Sequence, residues 1–124
     1  MRSDSLALRQ VDPAFKSPDG SVTSQVFKPM PEKDQGLLSA YNSELISPTK
    51  AYTHFTETRG GRSAGVLGVE VAEVNELGLQ VREDPSEFNE HAVVDMAHLS
   101  KGQVDRPAKA MRAAAVKRGW LHQP

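Results

Sequence analysis

Apolar and polar positions change rhythm several times along the chain, and each rhythm predicts an element. Leu6 and Leu8 take alternating positions, which predicts a first strand over 5–11. "SPDG" at 17–20 predicts a turn, because proline pre-sets φ early in it and Gly20 accepts a positive φ. "SVTSQVFK" at 21–28 is rich in β-branched and aromatic residues and reads as a second strand, hairpinned with the first. The prolines and charges of 29–36 predict a loop. "LLSAY" at 37–41 reads as a short strand.

A helical rhythm follows. Ser47 is placed to cap a helix and Pro48 to begin it, where the missing N–H is not needed. Ala51, Tyr52 and Phe55 share one face, and Gly60 supplies the left-handed stop. "SAGVLGVEVAEV" at 63–74 then alternates strongly. Leu67, Val69 and Val71 point one way; Val66, Gly68, Glu70 and Ala72 point the other. Both faces are apolar or small, which predicts a central strand. "NELG" reads as a turn, 79–83 as a strand, "DPSEFNE" as a loop and 91–99 as a further strand with Ala92, Val94 and Met96 opposite Val93. Val104, Ala108, Met111 and Ala115 carry the stripe of a last helix. Asp105 as its cap leaves Pro107 in the first turn, Gly119 closes it, and Trp120 folds back on Ala115.

This order predicts an α+β fold: a mostly antiparallel sheet of about five or six strands with two helices packed on it. At 124 residues the expectation is one domain over 1–124, frayed at 1–4 and 122–124. Cysteine is absent, which excludes a disulfide scaffold, a thiolate zinc site and a cysteine nucleophile. The N-terminus has no apolar run of signal-peptide type, and no segment approaches the roughly 20 apolar residues of a membrane span. A soluble cytoplasmic protein without a membrane partner is the expectation.

Net charge is −1, yet charge is unevenly spread. Between Glu70 and Asp95 acids dominate, with Arg82 as the one base; after Ser100 bases dominate, with Asp105 as the one acid. Such halves make either two binding faces or two surfaces that attract each other.

Candidate chemistry is sparse. "RGGRSAG" runs helix, glycine loop, strand, the wrong polarity for a phosphate cradle, which needs a helix N-terminus after the loop. It reads as a helix stop, although Arg59 and Arg62 have the forked donors that suit a phosphate or carboxylate. Arg9 is a further anion-binding candidate. His91 and Asp95 share a strand face but stand about 13 Å apart and cannot bond directly. With Glu70 from a neighbouring strand they would form a catalytic acid–base cluster; without it they are ordinary strand charges. The four histidines show no zinc-binding spacing, so no metal or other cofactor is expected. No G-x-S-x-G elbow is present to support serine hydrolase chemistry. Arg106, Lys109 and Arg112 form a ridge on the last helix that suits phosphates or a partner, but no nucleic-acid-binding motif accompanies it.

Three functions fit. The first is a non-enzymatic interaction module, an accessory, regulatory, antitoxin-like or immunity-like subunit that binds a protein through segregated charged faces. The second is a small enzyme or ligand-binding domain for a phosphorylated or nucleotide ligand, held by Arg59 and Arg62 with His91 as acid and base. The third is nucleic-acid binding through the basic last helix.

Overall fold

A computed structural model describes residues 1–30 and 34–124. Five strands form one antiparallel sheet: β1 (Leu6–Gln10), β2 (Leu37–Asn42), β3 (Val66–Glu70), β4 (Gln80–Glu83) and β5 (His91–Asp95). Their order across the sheet is β3-β1-β2-β5-β4. Helix α1 (Pro48–Thr53) continues as a π-helical segment over His54–Thr58, α2 (Val71–Glu76) is short, and α3 (Asp105–Arg118) is the longest. The fold is α+β, as the pattern of elements predicts.

Side-chain alternation gives the sheet two buried faces. Ala7, Leu38, Ala40, Leu67, Val69 and Val94 join Ala108, Met111 and Ala115 of α3 in the larger core. Leu8, Tyr41 and Val66 lie in a second cluster with Ala51 of α1, flanked by Tyr52, Phe55, Phe88 and Leu121. The sheet is thus a middle layer between α3 and α1. Ser47 accepts from the Lys50 N–H and Pro48 opens α1; Gly60 closes the π segment at φ +68. Gly119, at φ +94, ends α3 with its N–H on the Ala115 carbonyl.

Several expectations need correction. Residues 21–28 are not a strand but contain a 3-10 turn over Ser24–Phe27, and Val26 and Phe27 are both fully buried. Both flanks of β1 are taken by β2 and β3, so no hydrogen-bonding edge beside it is left for this segment. The hairpin shrinks to a single bridge, Lys16 to Val22, around the expected "SPDG" turn. The long strand over 63–74 stops at Glu70, where Glu73 reaches back to the Glu70 N–H at 2.8 Å and α2 begins. Val71 and Val74, both buried, fit a helix face as well as a strand. That strand is also an edge rather than central. Its two apolar faces answer to helices above and below, and the Leu121 N–H and His122 carbonyl hydrogen-bond Val66 along the outer side.

Two boundaries also move. β5 ends at Asp95, whose carboxylate accepts the Ala97 N–H and turns the chain. The cap of α3 is Val104, not Asp105, whose carboxylate instead meets Lys28 at 2.7 Å. The loop expected over 29–36 lies partly outside the described residues. Close to the N-terminus, the Arg2 N–H bonds Glu44, and the Ala72 N–H bonds the Ser3 carbonyl. Among the described residues no helix is long and apolar enough to cross a membrane.

Candidate functional site

The chemistry-bearing side chains gather where β2 meets β5, on the α1 side of the sheet. The register places Tyr41 opposite His91 and Ser39 opposite Val93. Ser39 is therefore a diagonal neighbour of His91 on the same face. His91 is 4% exposed, whereas Ser39 is exposed. The imidazole Nε2 lies 3.2 Å from Ser39 Oγ; Nδ1 lies 2.9 Å from the Asp84 carbonyl oxygen and 3.4 Å from its carboxylate.

These partners fix the neutral tautomer. A carbonyl oxygen only accepts, so Nδ1 carries the proton and donates to Asp84. Nε2 is then an acceptor, and the Ser39 hydroxyl donates to it. Asp84 is held below the ordinary carboxylate range, chiefly by the Ser86 hydroxyl and secondarily by His91. A buried base therefore faces an exposed hydroxyl, with a carboxylate behind the base.

Phe88 organises the surroundings. Its ring centroid lies 5.0 Å from those of Tyr41 and His91 and 4.9 Å from that of His54, and the Arg59 guanidinium sits 4.8 Å above it. The Tyr41 hydroxyl is 2.7 Å from His54 Nδ1. Burial pushes the Tyr41 hydroxyl up to about 12, against the opposing pull of Arg59, so it stays neutral. Arg59 also bonds Glu87 at 2.9 Å, with side chains 40% and 55% exposed. A pair so exposed is worth about 0–1 kcal/mol, so an incoming anion can replace Glu87 at little cost.

Beside Ser39 the sheet is incomplete. β1 and β2 register only at Ala7–Asn42 and Leu8–Tyr41. Beyond that point the Arg9 guanidinium donates to the Ser39 carbonyl at 2.7 Å and to the Val26 carbonyl at 2.8 Å. Burial lowers Arg9 to about 10, with Asp34 opposing the shift. Arg9 thus ties the 3-10 turn to the sheet rather than presenting itself to a ligand.

The remaining candidates separate. Glu70 lies on β3, with β1 and β2 between it and β5, and it pairs with Arg118 at 3.0 Å. Asp95 pairs with Arg82 at 3.0 Å. The cluster of Glu70, His91 and Asp95 therefore does not form. Arg62 is exposed and makes no hydrogen bond or ion pair among the described residues. Arg106 and Lys109 are exposed, but Arg112 Nε donates to the Val22 carbonyl at 2.6 Å, which removes the third member of the ridge. Arg118 also bonds Glu73 at 3.0 Å, so part of the acidic and basic segregation is neutralised within the chain. Among the described residues no three histidine, aspartate or glutamate side chains gather as metal ligands would.

Ser39, Tyr41, His54, Asp84 and Phe88 had no distinguishing signal in the sequence. His91 and Arg59 had one: His91 as a histidine sharing a strand face with Asp95, and Arg59 as a forked donor beside the glycine loop. The chain matches no protein-family model, no curated protein and no solved structure.

Proposed function

We propose that this protein binds a small anionic ligand on the β2–β5 face and carries out acid–base chemistry there with His91. The observation that carries the reading is the fixed imidazole: Nδ1 is anchored on the Asp84 carbonyl while Nε2 faces the exposed Ser39 hydroxyl. A histidine whose proton is placed by one partner presents a defined base to the other. Arg59 supplies the cation, bridged to the imidazole by the Phe88 ring. The test is a titration of the folded protein with inorganic phosphate and with small carboxylates, followed by amide and imidazole NMR. Shifts confined to Ser39, Arg59, Phe88 and His91, and lost in Arg59→Ala, support the reading. No saturable shift on this face refutes it.

A second reading, docking of a protein partner, is favoured by a different surface. Met30 is 58% exposed at the rim of a groove lined by Pro29, Met96, Leu99 and Val104, with Lys101 beside it. Lys28 on the rim is paired with Asp105, which leaves Lys101 as the cation beside an apolar floor, and that combination suits a mainly apolar partner segment with an acidic residue. A nuclease-treated pull-down with the native chain and with Met30→Asp tests it; a stoichiometric partner retained equally by both rules out this groove.

A further inference from the structure

The line Ser39–His91–Asp84 has more chemistry in it than ligand binding requires. A hydroxyl, a base and an orienting acceptor stand in series, within hydrogen-bonding reach at both ring nitrogens. This is the relation by which a hydroxyl is made nucleophilic. The exposures follow the same logic: the hydroxyl is open to solvent while the imidazole behind it is buried. Among the described residues the other exposed serines make no hydrogen bond to a histidine. Ser21 and Ser86 hydroxyls, for example, bond the carboxylates of Asp19 and Asp84, which orient them without a neutral base.

We infer that Ser39 is a nucleophile that accepts an acyl group from a carboxylic ester. The inference rests on the reading of the His91 face as a ligand site. Ser39 Oγ attacks the ester carbonyl carbon as its proton passes to His91 Nε2. The carbon–oxygen bond to the alcohol breaks, and His91 returns the proton to the departing oxygen. An acyl ester remains on Ser39. Water attacks it, again giving a proton to His91, and the carboxylic acid leaves as Ser39 regains its proton. Asp84 positions the ring through its carbonyl, and its carboxylate stabilises the imidazolium formed in each half. Arg59 favours esters that carry an additional negative group.

The setting also bounds the rate. Ser39 lies within a strand rather than on a sharp strand-to-helix turn, so among the described residues no helix start follows it to place a backbone N–H pair for the developing oxyanion. A single absent oxyanion donor lowers kcat by about 10²–10³. Slow turnover with readily measured covalent capture is therefore the expected signature.

The titratable and charged groups around His91 are Asp84 on the loop after β4, Tyr41 on β2, and His54 and Arg59 across Phe88, with Glu87 and Glu90 on the same loop as Phe88. The experiment treats the folded full chain with a fluorophosphonate probe and maps adducts by peptide mass spectrometry. Ser39 is expected to label at least about 100-fold faster than Ser21 or Ser86, with a rate that climbs as the imidazole loses its proton. His91→Gln should remove both the excess rate and its pH dependence. If that variant does not fold, Asp84→Asn, at a more exposed position, should reduce the rate several-fold while keeping Ser39 as the labelled residue. Labelling of Ser39 no faster than Ser21 overturns the inference. If phosphate or carboxylate shifts persist on this face while Ser39 stays unlabelled, the nucleophile fails and the ligand site stands. If Ser39 labels but no anion binds, the ligand reading fails and the reactive hydroxyl stands.

Discussion

His91 Nε2 lies 3.2 Å from Ser39 Oγ, although 52 positions separate the two residues in the chain. The contact exists because β2 and β5 are antiparallel neighbours in a register that sets Tyr41 against His91. The two partners are unequal. His91 is buried, bonded at both ring nitrogens and packed on Phe88; Ser39 is exposed. His91→Ala therefore removes a packed ring and leaves the Asp84 carbonyl without a donor, with an expected loss of about 2–4 kcal/mol. Ser39→Ala should cost less than about 1 kcal/mol, because water replaces the hydroxyl. Urea unfolding of the two variants checks this. Equal losses would make the hydrogen bond a packing requirement rather than a feature of a site.

Gly36 and Gly78 share a backbone conformation but not an environment. Their φ values are +79 and +77. A Cβ at Gly36 would stand 2.6 Å from the Ala97 Cα, while one at Gly78 meets nothing within 4 Å. Gly78→Ala should therefore carry only the left-handed backbone penalty, about 1–2 kcal/mol. Gly36→Ala adds a clash with backbone that cannot swing aside, and a further 1–3 kcal/mol is expected, as for overpacking. Thermal melts of both variants would reveal the difference, and equal melting temperatures would contradict the close approach.

Acid should weaken the fold through a defined set of carboxylates. Asp105 is held low by Lys28, Asp95 by the Ala97 N–H, Asp84 by the Ser86 hydroxyl and Glu44 by the Ser5 hydroxyl. Each has a folded pKa below its unfolded value. Between those two values the unfolded chain binds more protons, so stability rises with pH. The contribution is complete above the unfolded values of 3.8 for aspartate and 4.5 for glutamate, and it is lost as pH falls through the folded ones. The urea midpoint should thus fall steadily below about pH 5. Asp105→Asn should show a shallower fall than the native chain; an unchanged acid slope would count against the Lys28 pair.

Tyr41 carries the opposite dependence at the alkaline end. Its folded pKa of about 12 exceeds the ordinary 10.0, so the folded state retains the proton longer. The resulting stability is present below pH 10.0 and is lost as pH rises through about 12. Tyrosinate absorbance in a Tyr52→Phe background reports Tyr41 alone. Ionisation near 10 while the protein stays folded would show that the hydroxyl is less buried than its contact with His54 requires.

Local chemistry determined a good part of this protein from sequence. Ser47 and Pro48 start α1, Gly60 and Gly119 stop helices, and "SPDG" turns the chain; each depends on one residue's own φ preference or hydrogen-bonding reach. The stripe of Ala108, Met111 and Ala115 likewise placed α3 against the sheet, because helical period alone aligns those side chains. The α+β class followed from the order of such elements.

What tertiary structure decided is neighbourhood. Alternation shows which way a side chain points but not which strand lies beside it, so Glu70 and His91 looked available to each other until β1 and β2 came between them. The same ambiguity let Val71 and Val74 extend a strand that in fact ends at Glu70. Arg9 and Arg112 read as free cations, yet each finds a backbone carbonyl in the segment 22–26 that no local rule anticipates. Ser39, Phe88 and Asp84 are unremarkable where they stand in the chain. They acquire chemistry only because a five-stranded register and one loop bring them around the same imidazole.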